Sequence, residues 1–274
     1  MKIKSINLIG TALVLSLIWN CSKNENLQTG NLSVLLTDKP FPTDLISNAE
    51  VTISKVEIRQ KDSEGNPFIT LMEKDATFNL LELRNGVTAS LSDTQIQAGF
   101  YDLVRIYVKE ARIVLSNNDV VDVKVPSGAQ TGIKVFIKPG IEVAGGLTSE
   151  LLLDFDVSNS FVVLGKMDTA AGIKGFNFKP VIKATNLSTT GSLVGEVTDT
   201  TSVLLEGVQI SVFAEDTLNT TTFTDTDGKY AVLGLTEGYY DIQAEKEGYV
   251  SQKYEDITVI SANTTKQNFE LVPE

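Results

Sequence analysis

The residues able to do covalent or acid–base chemistry are few, and what is missing narrows the field first. The chain has no histidine in 274 residues. That removes Ser-His-Asp triads, Cys-His pairs and every zinc site that needs an imidazole. No S-x-x-K, G-x-S-x-G or G-x-x-x-x-G-K-[ST] pattern occurs; SFVVLGKM lacks the first glycine and the final hydroxyl residue of the last of these. Carboxylates remain. Asp154 and Asp156 stand two apart in SELLLDFDV and share one strand face, where they could serve as general acid and base or bind Ca²⁺ through oxygen. The solvated face of an amphipathic strand accounts for them more simply and is preferred. Asp225-Thr226-Asp227-Gly228 fails the EF-hand register, since glycine comes fourth instead of sixth and Thr236 stands where the bidentate Glu should be. A hairpin turn explains it. No metal, no cofactor and no enzymatic activity are expected.

Binding chemistry leaves a different trace. Sugar-binding sandwiches present exposed aromatic rings, and the single tryptophan, Trp19, lies in the apolar N-terminal run. Tyr239 is the best remaining ligand-binding candidate, because Tyr240 falls on the Ile242 face and its neighbour should then point outward. Tyr249 and Tyr254 could join it. Tyrosines packed at the rim of a small sandwich with wet hydroxyls are the plainer alternative.

The one cysteine, Cys21, fixes the expected address. Residues 1–20 carry Lys2 and Lys4 and then an apolar stretch from about Ile6 to Trp19, a charged start and hydrophobic middle that read as a secretory signal. The stretch is short of the roughly 20 apolar residues needed to span a bilayer. Leu17 or Ile18 followed by Cys21 resembles a bacterial lipoprotein signal, which implies cleavage before Cys21, acylation there, and membrane attachment through that anchor. Two acyl chains hold a peripheral protein where one does not. The polar segment after it, SKNENLQT, reads as a tether that with Cys21 spans residues 21–29; only Glu25 is acidic, so its similarity to the acidic surface-display signal of some envelope bacteria is slight. The expected location is the bacterial cell envelope as an outer membrane lipoprotein, with surface display open. Loss of residues 1–20 moves the formal charge from −12 to −14. Nucleic acid is excluded as a partner, since phosphate neutralisation needs clustered Lys and Arg.

The elements that must position these groups are strands. The chain is 42% hydrophobic, shows period-two alternation and lacks long helical spacing. About 250 mature residues suggest two domains, with a seam at KATNLSTTG, residues 183–191. The fold class expected is all-β: two antiparallel β-sandwich domains in tandem, residues 30–186 and 191–274, after a cleaved lipoprotein signal peptide. In AEVTISKVEIRQ, Ala49, Val51 and Ile53 alternate on one parity and Val56 and Ile58 on the other, so the phase flips near Ser54. A bulge, or a strand passing from one sheet to another, would produce that. Asn117-Asn118-Asp119 and Asp227-Gly228 mark hairpins.

The phrases SVLLTDKPF, VTISKVEIRQ, AGFYDLVRIYV, LLLDFDVSNSFVV and FNFKPVIKA, in that order, resemble the domain-of-unknown-function 4382 family over roughly residues 28–186. That resemblance implies a secreted or lipid-anchored envelope β-domain with no established catalytic residues. TDTDGKY, LTEGYYDI and EGY resemble a carboxypeptidase regulatory-like domain over 191–274, which implies a transthyretin-like sandwich near the carbohydrate-binding-like folds and no peptidase. The reading that results is a non-catalytic lipid-anchored binding or scaffold module, with a glycan or an envelope protein as ligand. A fimbrillin-like structural subunit is the alternative, and a carboxylate-dependent enzyme the least favoured. Asp168-Thr169-Ala170, Asp199-Thr200-Thr201 and Asp216-Thr217-Leu218 are similar to the Asp-Ser/Thr-apolar O-glycosylation signal, a pattern that chance also produces in so Thr-rich a chain.

Overall fold

The structure, a computed structural model, describes residues 29–39, 45–65, 67–125, 131–166 and 169–274. The signal segment, Cys21, the tether through residue 28, Pro40–Pro42 and Asp168 lie outside the described residues. Eleven strands precede residue 187: β1 (Thr29–Lys39), β2 (Ile46–Gln60), β3 (Phe68–Asn79), β4 (Ala89–Gln97), β5 (Gly99–Leu115), β6 (Val120–Val123), β7 (Ile133–Val143), β8 (Thr148–Asp156), β9 (Phe161–Gly165), β10 (Ile173–Phe178) and β11 (Ile182–Asn186). One sheet runs β3-β2-β5-β7-β11-β8-β1-β4, with β6 on β5, and β9 and β10 form a separate hairpin.

A sheet this wide, with one helical turn at Val157–Ser160 beside it, buries a face only by curling onto itself. Leu32 and Val34 of β1, Val51 and Val56 of β2, Ile106 of β5 and Phe155 of β8 accordingly share one core. The curl brings edge strands β3 and β4 together. No ladder joins them; hydroxyls do. Leu71 is the extra residue at a register shift in β3, and its carbonyl accepts from Ser92 Oγ (2.9 Å) and Thr94 Oγ1 (3.2 Å) of β4.

The phase flip in β2 is a bulge. The register against β3 and β5 shifts between Ile53 and Lys55, and Ala49, Val51, Ile53, Val56 and Ile58 are all fully buried in the same core. The extra residue, Ser54, absorbs the change of parity, so the strand never leaves its sheet. Its partner β5 stays one 17-residue strand and shifts register at the same level.

The second group comprises β12 (Thr190–Asp199), β13 (Gln209–Ala214), β14 (Thr217–Phe223), β15 (Lys229–Thr236), β16 (Gly238–Glu245), β17 (Tyr249–Val250), β18 (Gln252–Val259), β19 (Thr264–Lys266) and β20 (Phe269–Pro273). Sheet β15-β12-β20-β17, with β19 on β12, packs on sheet β14-β13-β16-β18 around a second core that includes Val197, Val212, Tyr230, Ile242 and Phe269. Gly195 is required here: a Cβ would collide with Gln267 O and with the Tyr230 ring, whose hydroxyl donates to that same carbonyl at 2.6 Å. Glu215 and Asp216 are both left-handed (φ 48° and 59°) and close the tight β13–β14 hairpin.

The fold is all-β, but its sheets are mixed where purely antiparallel ones were expected. β1 pairs parallel with β8, β7 with β11, and β12 with β19 and β20. Hairpin signals report sequence neighbours, whereas these parallel pairs join strands far apart in the chain, which local turns cannot reveal.

The hydroxyl closure of the first sheet gives a direct test. Replacing Ser92 by Ala and Thr94 by Val together strands the buried Leu71 carbonyl and is expected to lower stability by about 1–3 kcal/mol, read as a lower urea midpoint with unchanged slope.

Candidate functional site

Asp154 and Asp156 project from β8 on the face opposite Leu151, Leu153 and Phe155, which are fully buried in the first core. That opposite face is not simply solvent. Leu152, which shares it, is 2% exposed, because the second domain covers this end of β8: a Cβ on Gly234 of β15 would sit 3.7 Å from the Leu152 side chain and 3.1 Å from Thr185 of β11. Between the two domains lies a cleft of about 300 Å³. Asp38, Asp154, Asp156 and Lys183 line one side; Thr220, Thr222 and the Ala231–Leu235 segment line the other.

Two of these carboxylates, Asp156 and Asp38, hold the turn that follows β8. Asp156 caps the helical turn 157–160, Oδ1 accepting from Ser158 Oγ (2.7 Å) and Asn159 N (3.0 Å) and Oδ2 from Asn159 Nδ2 (2.8 Å). Asp38 Oδ1 accepts from Val157 N at 3.1 Å. Asp154 stands in register between Thr37 of β1 and Lys183 of β11. Among the described residues no three Asp, Glu, His or Cys side chains converge as a metal would need.

The cleft owes its position to Asn85 and Gly86, consecutive left-handed residues (φ 58° and 78°) in the loop before β4. Asn85 acts as one rung of a strand on the edge of β15: its Nδ2 donates to Lys229 O (2.9 Å) and its Oδ1 accepts from Ala231 N (2.6 Å). Gly86 then passes so close that a Cβ would lie 2.8 Å from that of Ala231. Sequence reading missed this junction. Its traces were the Asn-Gly pair and the unbroken Leu151-Leu152-Leu153, where alternation predicts a polar middle residue.

The tyrosine candidates do not come together. Tyr239 is 71% exposed on the outer face of β16, as alternation predicted, while Tyr240 is buried and its hydroxyl donates to Thr236 O at 2.9 Å. Tyr254, paired with the fully buried Ile242, lies on the inner face of the same sheet, its ring 5.2 Å from that of Phe269. Tyr249 sits on the other sheet and packs half-buried against the second core. Beside Tyr239, Asp241 takes a 2.8 Å contact from Lys253 Nζ, whose hydrogen bond holds that carboxyl below its ordinary range. Asp225 Oδ1 accepts from Asp227 N (3.0 Å) and Lys229 N (2.8 Å), a turn that uses the motif locally.

A curled-sheet β-domain joined edge to loop with a smaller β-sandwich defines a tandem all-β protein. Residues 29–180 match the model of the domain of unknown function 4382, and the chain belongs to that family. Residues 192–272 match the carboxypeptidase regulatory-like domain. No curated protein matches the chain. Among solved structures, a candidate carbohydrate-binding protein of Bacteroides uniformis is 23% identical over 30% of this chain and 41% of its own length, with a TM-score of 0.27. The shaft pilin SpaA of Lactobacillus rhamnosus GG is 12% identical over 90% of this chain and 98% of its own (TM-score 0.28), and the minor pilin GBS52 of Streptococcus agalactiae 12% over 89% and 96% (TM-score 0.27). The chain therefore spans less than half of the Bacteroides protein.

Asn85→Ala removes both bonds to β15. It is expected to speed amide hydrogen exchange at Ala231 by at least about tenfold, one hydrogen bond's worth of local stability, while Val212 and Ile242 keep their protection. Unchanged exchange at Ala231 would mean that packing at Gly86 alone holds the edge.

Proposed function

We propose that the chain is a non-catalytic, lipid-anchored protein of the bacterial outer membrane, attached at Cys21, whose two β-domains (residues 30–186 and 191–274) act as a surface binding or scaffold module. The observation that carries the non-catalytic part is the use made of the cleft's carboxylates. Asp156 already accepts three hydrogen bonds and Asp38 fixes the amide of Val157, so one member of the Asp154–Asp156 pair, and the acid next to it in the cleft, are engaged in holding the helical turn that follows β8.

The anchor reading rests on the lysines, the apolar run and Cys21 in sequence. No helix among the described residues is long and apolar enough to cross a membrane. The fimbrillin-like alternative is less well supported, because both domains fill their sheets from this chain's own strands: β1 lies between β8 and β4, and β20 between β12 and β17.

Cys21→Ala is expected to move the protein from the detergent-rich to the aqueous phase on Triton X-114 partitioning and to release it from washed membranes. Partitioning equal to that of the unaltered protein would end the anchor reading. Proteinase treatment of intact cells then separates outward from periplasmic display.

A further inference from the structure

The outer face of β3, β2, β5 and β7 carries a construction that none of the motifs announced. Cross-strand register sets two parallel rows there: Phe68–Arg59–Leu103–Phe136 and, one pleat on, Thr70–Glu57–Arg105–Lys134. Four strands at about 4.8 Å spacing make this face about 15 Å wide. Phe136 stands 57% exposed at its β7 end, over the buried Leu103.

Around these rings the polar groups are already fixed to one another. Arg59 donates through Nε and Nη2 to both oxygens of Asp102, each at 2.8 Å, and its guanidinium carbon lies 6.0 Å from the Phe136 centroid. Arg105 stacks on Phe68 at 3.7 Å, and its Nη1 donates to Glu57 Oε2 at 3.2 Å. Tyr107 Oη donates to the same Glu57 oxygen at 3.0 Å, while Lys55 Nζ takes the other at 2.9 Å. Burial would raise the Glu57 carboxyl, but the bonds from Lys55 and Tyr107 and the charge of Arg105 outweigh it and keep it ionised. Asp102 is held below its ordinary range by the Arg59 fork. Gly132, left-handed at φ 70°, leaves room for this layer, since a Cβ there would collide with the Arg105 stem and crowd the Tyr107 ring.

We propose that this face is a binding platform for a neutral polysaccharide, with Phe136 as the stacking ring and the half-buried Arg59–Asp102 pair as the hydrogen-bonding rim, the more deeply buried Arg105–Glu57 pair beside it serving to hold the layer rigid. A sugar ring offers an apolar C–H face and an equatorial rim of hydroxyls that each donate and accept. The platform matches both: an exposed aromatic ring, flanked by donors and acceptors whose geometry is set before a ligand arrives, which lowers the entropy lost on binding. Neutrality follows from charge. Both guanidiniums carry their own carboxylate, and although the exposed Lys134 and Lys138 flank Phe136, a chain with a formal charge of −12 repels a polyanion at long range. The width of the rows suits a chain laid across strands. This inference rests on the binding-module reading above and gives it a location away from Tyr239.

The test is affinity electrophoresis and titration of the full mature chain against soluble neutral glucans, mannans and xylans and against a polyuronate. Expected is retardation by at least one neutral polymer that persists in about 0.5 M salt, where exposed charges are screened. Phe136→Ala should raise Kd at least about tenfold, equivalent to 1.4 kcal/mol, and Phe136→Leu, which still covers Leu103 but offers no ring, should weaken binding as much with an unchanged unfolding midpoint. Arg59→Lys, which keeps the charge and loses the fork, should weaken binding severalfold, and Tyr239→Ala should not. Binding that survives Phe136→Ala and disappears in Tyr239→Ala overturns this site and leaves the binding module standing. Retention only by the polyuronate, abolished by salt, overturns the neutral ligand. No retention by any polymer overturns the platform and the glycan arm of the proposed function together, leaving a protein ligand.

Discussion

Strand edges are the constraint on which this structure depends. A protein built almost entirely of strands, with no disulfide available from a single cysteine, must satisfy each exposed row of backbone groups or leave it open to another chain. Here side chains do what the ladder cannot. Ser92 and Thr94 bond the bulged Leu71 carbonyl and so close the first sheet. Asn85 reproduces a strand's donor and acceptor on the edge of β15. The second device also fixes where the two domains meet, so the cleft beside Asp154 is a by-product of an edge being covered.

How much of this was legible divides along the range of the interactions. Parity in β2 exposed the Ser54 bulge and Asn117–Asp119 the β5–β6 hairpin, because those are local matters of period and turn; Asp227-Gly228 did mark a turn, but it carries the chain from β14 to β15 in the opposite sheet, so the hairpin expected there is not formed. The outward position of Tyr239 followed from its neighbour for the same reason. The parallel pairs were illegible, since the partner of β1 is β8 and no short turn connects them. Leu152 illustrates the middle case: its breach of alternation was visible, but the second domain that buries it lies beyond residue 190.

The same division governs the candidate sites. Asp154 and Asp156 attracted attention by spacing, yet spacing alone does not distinguish a reactive carboxylate from a capping one. The helical turn at Val157–Ser160 decides it for Asp156. The Arg59–Asp102 and Arg105–Glu57 pairs left no trace of this kind, because each joins residues more than 40 positions apart and only the β2–β5 register sets them side by side.

That register links stability to recognition. The shift at Ser54 sends Val56 and Ile58 inward and, by period two, turns Lys55, Glu57 and Arg59 outward. Without the bulge the same residues would exchange faces, placing charges in the core. The platform's polar rim is thus the complement of the core's apolar row on a single strand. Phe136 differs: it lies over the buried Leu103, yet 57% of it remains exposed between Lys134 and Lys138. An apolar ring kept on a wet face, beside hydrogen-bonding groups held rigid by their own partners, is explained by a ligand more readily than by folding.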